Sequence, residues 1–327
     1  MLTNNLYIPP KYKSESPILN TQIAVNKIKQ QFTDSFSKKL CLTLVQAPLF
    51  VSANSGMNDT LNGVEKPVSF HTSEFGEQSM QIVQSLAKWK RIALKEYGFS
   101  EGEGLYTDMH ALRPSETTDN LHSVLVDQWD WEQIISPQDR TLKKLEDTVN
   151  KIYEAIKETE VYATQQILPP DVTFITSSEL KALYPNHSSK DREYLFSKEK
   201  GAIFIEQIGG KNHENRAPDY DDWLLNGDLI FYYPLLDTAL EISSMGIRVD
   251  KNSLLKQLKE SNCEYYMEQP YHQMLLNDEL PLTIGGGIGQ SRLCMFLLQK
   301  AHIGEVQPSV WPESIREKAI SNEIFFL

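Results

Sequence analysis

The chain has 327 residues, a net charge of −12, and 40% hydrophobic and 23% charged residues; that fits a globular protein with room for one large core or two domains. So acidic a balance argues against a broad nucleic-acid footprint, which needs a basic face, and no run reaches the roughly 20 apolar residues that span a bilayer. The N-terminal residues carry no apolar leader segment, and three cysteines without close spacing, Cys41, Cys263 and Cys294, point to buried free thiols in a reducing cytoplasm.

Ser16-Pro17 reads as a helix start, with serine as cap and proline in the first turn. Ile28, Phe32, Phe36 and Leu40 follow at helical spacing. Cys41 to Val51 reads as a strand with Pro48 near its end; proline cannot donate to a ladder, so the strand belongs at a sheet edge or an interface. Helix and strand together suit a dimer surface or an ordinary amphipathic helix on its own core equally well. A polar loop follows from Ser52 to Gly63, where Asp59 stands among turn formers and reads as a turn or cap residue. Strand signals return at Val68 to Phe70. A helix opens at Gln84, runs to about Tyr97 and stops at Gly98. Its Lys88, Lys90 and Arg91 read as a solvated face.

Leu105 to Arg113 and Leu121 to Trp131 read as a hairpin with Arg113 at its tip. Ser136-Pro137 repeats the cap signature before Leu145, Val149, Ile152 and Ile156, a long surface helix closed by Leu168-Pro169-Pro170. Strands are expected at Val172 to Thr176 and Ala202 to Ile205, with a helix near Ser178. Arg216 to Trp223 is a dense acidic loop, and Asn226-Gly227-Asp228 reads as a hairpin turn before the strand Leu229 to Pro234. Ala239 to Val249 is a strand carrying Glu241 and Arg248. A carboxylate in an apolar strand needs a partner, and a divalent cation or an arginine satisfies that need. Helices follow near Leu254 to Glu260 and Glu268 to Leu276.

The stretch Leu282 to Leu298 organises the rest. A short strand passes through Gly285, Gly286, Gly287 and Gly289 and then, after Arg292, becomes an apolar helix. Glycine lets a backbone press against something flat or turn sharply. Arginine offers fixed donors for phosphate oxygens and a face that stacks on a base. The combination is a nucleotide floor. Two other readings stand beside it: a bulged strand where two elements pack closely, and a dinucleotide loop, which lacks its third glycine and a following βαβ unit. There is no zinc spacing, no Gly-x-Ser-x-Gly elbow and no Walker lysine loop.

The order of helix and strand to Pro48, arginine-tipped hairpin, and glycine strand with Arg292 resembles motifs one, two and three of the class II aminoacyl-tRNA synthetase catalytic fold. More narrowly, six segments are similar to the ammonia-dependent asparagine synthetase family: SLAKWKR (Ser85 to Arg91), GEGLYTDMHALRP (Gly102 to Pro114), LHSVLVDQWDWE (Leu121 to Glu132), RAPDYDDW (Arg216 to Trp223), SSMGIRV (Ser243 to Val249) and GGGIGQSR (Gly285 to Arg292). They stand in register from about Gln46 to Trp311. The chain departs from the family at Gln84, where a histidine is expected, and in shorter loops from Gln207 to Asn215 and after Trp223.

The resemblance implies an α+β fold, a mostly antiparallel sheet flanked by helices, as one catalytic domain over residues 1–327. It also implies a helical insertion around 136–200 and no anticodon-binding domain. The implied reaction turns L-aspartate, ATP and ammonia, with Mg²⁺, into L-asparagine, AMP and diphosphate through β-aspartyl-AMP. The implied protein is a cytoplasmic homodimer with no nucleic-acid or membrane partner. By resemblance, Arg113 holds the α-phosphate, and Arg292 the γ-phosphate and adenine face above Gly287 and Gly289. Glu241 with Asp228 carries Mg²⁺. Lys90 orients the β-carboxylate and Arg248 the α-carboxylate; Asp221 and Gln128 face the α-ammonium and polar groups, with Ser85 and Ser244 beside them. Asp59 takes the proton from ammonium, which is mostly protonated at neutral pH. Two further readings belong to the same fold: a tRNA-charging paralogue and an amino-acid-sensing regulatory module.

Overall fold

The structure is a computed structural model that describes residues 6–14, 16–59, 66–210 and 216–327. Residues 60–63 of the first polar loop and 211–215 of the Gln207 to Asn215 loop lie outside the described residues. Helix α1 (Ile18–Leu40) starts after Pro17 with no side-chain cap and buries Ile28, Phe32, Phe36 and Leu40. It ends on Cys41 in the left-handed region, φ 53°, so that thiol is exposed rather than buried. The single strand expected around Pro48 is two short ones, β1 (Leu42–Leu44) and β2 (Phe50–Ser52). β2 joins β3 (Ser69–Phe70) and β4 (Met80–Ile82) in a small sheet of order β2-β4-β3.

Helix α2 (Ala87–Glu96) is followed by Gly98 at φ +74°. Its Lys88, Lys90 and Arg91 are 3%, 0% and 1% exposed, which overturns the solvated-face reading. Carboxylates and carbonyls from distant segments receive them: Arg91 Nε donates to Pro281 O at 2.7 Å and Nη1 to Val249 O at 2.8 Å, and the partners of the two lysines are described below. β5 (Gly104–Leu112) and β6 (Leu125–Ile134) form the hairpin. α3 (Leu142–Thr159) starts five residues beyond Pro137 because Thr141 supplies the cap, its Oγ1 accepting from Lys144 N at 3.2 Å. Then come β7 (Thr173–Thr176), α4 (Ser177–Leu183), α5 (Ser189–Lys200) and β8 (Ala202–Glu206). β9 (Asp221–Tyr233), β10 (Thr238–Arg248), α6 (Lys251–Glu260), α7 (Pro270–Leu276), β11 (Thr283–Gly289), α8 (Gln290–Leu297) and α9 (Glu313–Ser321) complete the chain.

Asn226-Gly227-Asp228 is not a turn. It lies inside the 13-residue β9. A Cβ on Gly227 would meet Ile205 O at 2.3 Å and the Phe204 ring at 2.6 Å, so the glycine is there to admit β8.

The main sheet has the order β1-β5-β6-β11-β10-β9-β8-β7. Its five inner pairings are antiparallel, and the outermost pairing at each end, β1–β5 and β7–β8, is parallel. The sheet is therefore mixed, and the expectation of a mostly antiparallel sheet holds for five of its seven pairings. Parallel neighbours need a crossover, and α4 with α5 provides one between β7 and β8. β6 shows the period of two that places the core. Trp129 and Trp131 face the helices, Trp129 lying 4.6 Å from the Phe32 ring and Trp131 6.2 Å from Phe36. Gln128, Asp130 and Glu132 take the other face. Burial of each large side chain in this layer stabilises the fold by about 1.5–3 kcal/mol.

Candidate active site

β11 lies between β6 and β10, with Gly285 opposite Glu132, Gly287 opposite Asp130 and Gly289 opposite Gln128. None of its four glycines has a positive φ; they are there for space. A Cβ on Gly285 would fall 2.0 Å from Glu132 Oε2, and one on Gly287 2.3 Å from Gln128 Oε1. The glycine strand is thus a floor across which polar side chains of β6 lie flat. Beyond it, α8 is tied to β6 by Asp127, which accepts from Ser291 N at 3.2 Å and Ser291 Oγ at 2.6 Å. That anchor aims Arg292, whose Nη1 donates to Glu241 O at 3.0 Å.

Above the floor is a cavity of about 370 Å³ lined by Arg113, Arg292, Glu241, Gly287 and Gly289, among others. A smaller one of about 80 Å³ is lined by Asp59, Ser85, Lys90, Asp221, Arg248 and Gly286. The two share Arg113, Gln128, Tyr220, Ser244 and Gly287 as a common wall. Every site residue expected from the sequence lines one or both, except Asp228. Asp228 and Glu241 border a third cavity, of about 600 Å³, beneath α4 and α5.

The small cavity is lined by paired ions. Arg248 Nε and Nη2 donate to Glu132 at 2.9 and 2.8 Å, and Nη1 donates to Asp221. Lys90 Nζ donates to Asp130 and to the carbonyls of Trp131 at 2.8 Å and Gly286 at 3.2 Å, with Glu132 at 3.5 Å. Thr283 Oγ1 donates to Glu132 at 2.7 Å. Burial would raise the Glu132 carboxyl, but the Arg248 and Lys90 charges outweigh it and hold it below its ordinary value. At Asp221 burial wins over Arg248, and the carboxyl is raised. Each cation arrives already neutralised, so it can sit in the fold without the large cost of an unpaired buried charge.

Behind this layer Lys88 Nζ lies 2.6 Å from Asp219, which bonds His272 Nε2 at 2.9 Å. Burial alone would lower the Lys88 ammonium, yet Asp219 and Asp59 keep it raised. Asp59 is 2% exposed, buried rather than a surface turn residue.

Asp130, Glu132, Arg216 and Tyr220 also line or build the site, and sequence reasoning did not single them out. The signal for the first two was the alternation Gln128-Trp129-Asp130-Trp131-Glu132, which gives the tryptophans one face and the polar groups the other.

Among the described residues no three His, Cys, Asp or Glu side chains converge to hold a metal. Mg²⁺ needs only one or two carboxylates beside phosphate oxygens. Glu241 and Asp228 meet that need: burial raises the Asp228 carboxyl, Arg216 opposes the rise, and the nearby Glu241 charge adds to it. Two carboxylates sharing a cavity and repelling each other suit a divalent cation. Among the described residues no helix is long and apolar enough to cross a membrane.

Known proteins resemble this chain in family and in fold. The family model for aspartate-ammonia ligase matches residues 19–323. Aspartate--ammonia ligase from Clostridium perfringens strain SM101 is 55% identical over 333 residues, covering 98% of this chain and 99% of that protein. The protein of the same name from Fusobacterium nucleatum is 56% identical over 317 residues, covering 94% and 96%. Among solved structures, asparaginyl-tRNA synthetase from Pyrococcus horikoshii complexed with asparaginyl-adenylate superposes with a TM-score of 0.62 at 15% identity, over 90% of this chain and 70% of that one. A putative aspartyl-tRNA synthetase from Leishmania major gives 0.63 at 15% identity, over 89% and 64%. At such identities these likenesses speak for the fold alone.

Proposed function

The chain belongs to the aspartate–ammonia ligase family, and from that premise we propose how its residues make L-asparagine, AMP and diphosphate from L-aspartate, ATP and ammonia. The observation that carries the proposal is the common wall: a cavity of about 370 Å³, large enough for a nucleotide, opens through Arg113 and Gly287 into one of about 80 Å³ suited to a small amino acid. The adenine and ribose lie over Gly287 and Gly289. Arg292 meets the γ-phosphate, and Arg113 the α-phosphate at the shared wall.

L-Aspartate enters with its α-carboxylate toward Arg248, its β-carboxylate toward Lys90 and its ammonium toward Asp221 and Gln128, beside Ser85 and Ser244. A β-carboxylate oxygen attacks the α-phosphorus, and the bond to the diphosphate oxygen breaks with its electron pair. Charge develops where Arg113 already stands, so little reorganisation is needed at the moment of reaction. Glu241 and Asp228 would hold Mg²⁺, which supplies further positive charge to the triphosphate. Ammonium then reaches Asp59, which takes its proton. The freed ammonia attacks the β-acyl carbon, the acyl–oxygen bond breaks with its electron pair leaving on AMP, and the nitrogen sheds one proton to water to give the neutral amide. We further propose a homodimer formed through the α1–β1 region.

Incubation with L-aspartate, ATP, Mg²⁺ and ¹⁵N-ammonium tests the reading. Labelled asparagine and stoichiometric AMP are expected. ADP in place of AMP, or no amide, overturns it.

A further inference from the structure

Arg216 opens the segment that leads into β9, and no role above requires it. Its side chain is 18% exposed. One guanidinium nitrogen, Nη1, donates to Ser244 Oγ at 2.8 Å, and Nη2 donates to Asp228. Among the described residues, Arg216 and Glu241 alone line both the nucleotide cavity and the cavity beneath α5. The second cavity also carries Glu193, so three carboxylates, Glu193, Asp228 and Glu241, border it.

The position along β10 is telling. Arg248, Ser244 and Glu241 follow one another on this strand, and at about 3.3 Å per residue they mark the amino-acid pocket, the shared wall and the junction with the second cavity. Arg216 is bonded at the middle of that line, to Ser244 and to Asp228, which stands opposite Ser244 on β9. A nucleophile entering on the Arg248 side expels its leaving group toward the Glu241 side. Arg216 lines both the nucleotide cavity and the one beyond Glu241, on the path of that leaving group, yet its guanidinium is engaged by a carboxylate that the arriving divalent cation also needs.

We propose that Arg216 is a catalytic residue that changes partners: in the free enzyme its guanidinium neutralises Asp228, and when ATP enters with its divalent cation it passes to the β,γ-phosphates and stabilises the departing diphosphate. The exchange conserves charge pairing at each stage. Asp228 gives up an arginine and gains a cation. The arginine gives up a carboxylate and gains phosphate oxygens, for which its planar donors are suited. No proton moves; the electron pair of the broken P–O bond stays on the diphosphate.

This inference rests on the proposed AMP-forming reaction but is tested separately from it. Arg216→Met and Arg216→Lys are compared with wild type in three measurements: Mn²⁺ binding without nucleotide, followed by electron paramagnetic resonance; diphosphate binding in the presence of Mg²⁺, followed by calorimetry; and thermal melting. With Arg216→Met, Mn²⁺ should bind at least threefold more tightly because Asp228 is uncovered. Diphosphate should bind at least tenfold more weakly, and turnover should fall at least 100-fold. Arg216→Lys should recover part of the diphosphate affinity. The opposite signs are the discriminating result. If both ligands weaken together, or neither affinity changes, Arg216 is only structural and the proposal fails. A wild-type enzyme that forms ADP would instead overturn the reaction while leaving the Mn²⁺ result readable.

Discussion

Glu206 and Glu132 are both buried carboxylates, and they differ in company. Glu132 meets two cations and a hydroxyl. Glu206 on β8 is 4% exposed, its Oε1 lacking a hydrogen-bond partner among the described residues, and burial, with the charges of Glu146 and Glu179, pushes its carboxyl up to about 7. A value raised in the folded state means that the folded protein holds this proton more tightly than the unfolded chain. Stability therefore falls as pH climbs from about 4.5 towards 7, and the penalty is full above that. Glu206→Gln should raise Tm at pH 8 by the equivalent of about 1–2 kcal/mol and leave it nearly unchanged at pH 4.5. Melting curves at the two pH values check this; equal shifts at both would show that packing, not charge, makes the difference.

Strand β11 has two faces with different tolerances. A methyl on Gly286 would meet the β10 backbone, with Ser244 O at 2.6 Å and Met245 Cα at 3.0 Å, and a backbone in mid-sheet cannot step aside. A methyl on Gly287 would meet the amide of Gln128, the far end of a flexible side chain. Gly286→Ala should thus cost about 1–3 kcal/mol of stability, seen as a lower Tm. Gly287→Ala should melt close to wild type but raise the KM for aspartate several-fold, because Gln128 is displaced into the pocket wall. Reversal of the two phenotypes would contradict the floor as described. Much of this architecture was legible in the chain. The helical spacing of Ile28 to Leu40, the Arg113 hairpin and the glycine strand before Arg292 are local patterns, and local patterns survive folding. The reading failed where a distant element decided the outcome. Lys88 and Lys90 look solvated until Asp219 and Asp130 are brought beneath them from 131 and 40 residues away, and Gly227 looks like a turn until β8 is laid against it. Asp228 and Arg216 form one pair across 12 residues, a spacing that no helical or strand period marks.

At the scale of the whole molecule, the proposed dimer has a candidate surface. Leu44, Leu49 and Phe50, in the segment from β1 to β2, and Phe75, between β3 and β4, remain 49%, 55%, 44% and 51% exposed, and large apolar side chains left in water favour association where they cluster. Wild-type protein should sediment at about twice the 37.4 kDa chain mass. A Leu44→Asp, Leu49→Asp double variant should sediment near the single-chain mass; a fully active wild-type monomer would reject the dimer. One consequence of the sheet order reaches back to synthesis. β11 is the last strand made, yet it fills the gap between β6 and β10. Until residues 283–289 leave the ribosome, those two strands present bare edges toward each other, open to pairing with any extended polypeptide nearby. A nascent chain stalled before Thr283 should therefore be inert and prone to clump, and it becomes a catalyst only when the last strand slides home.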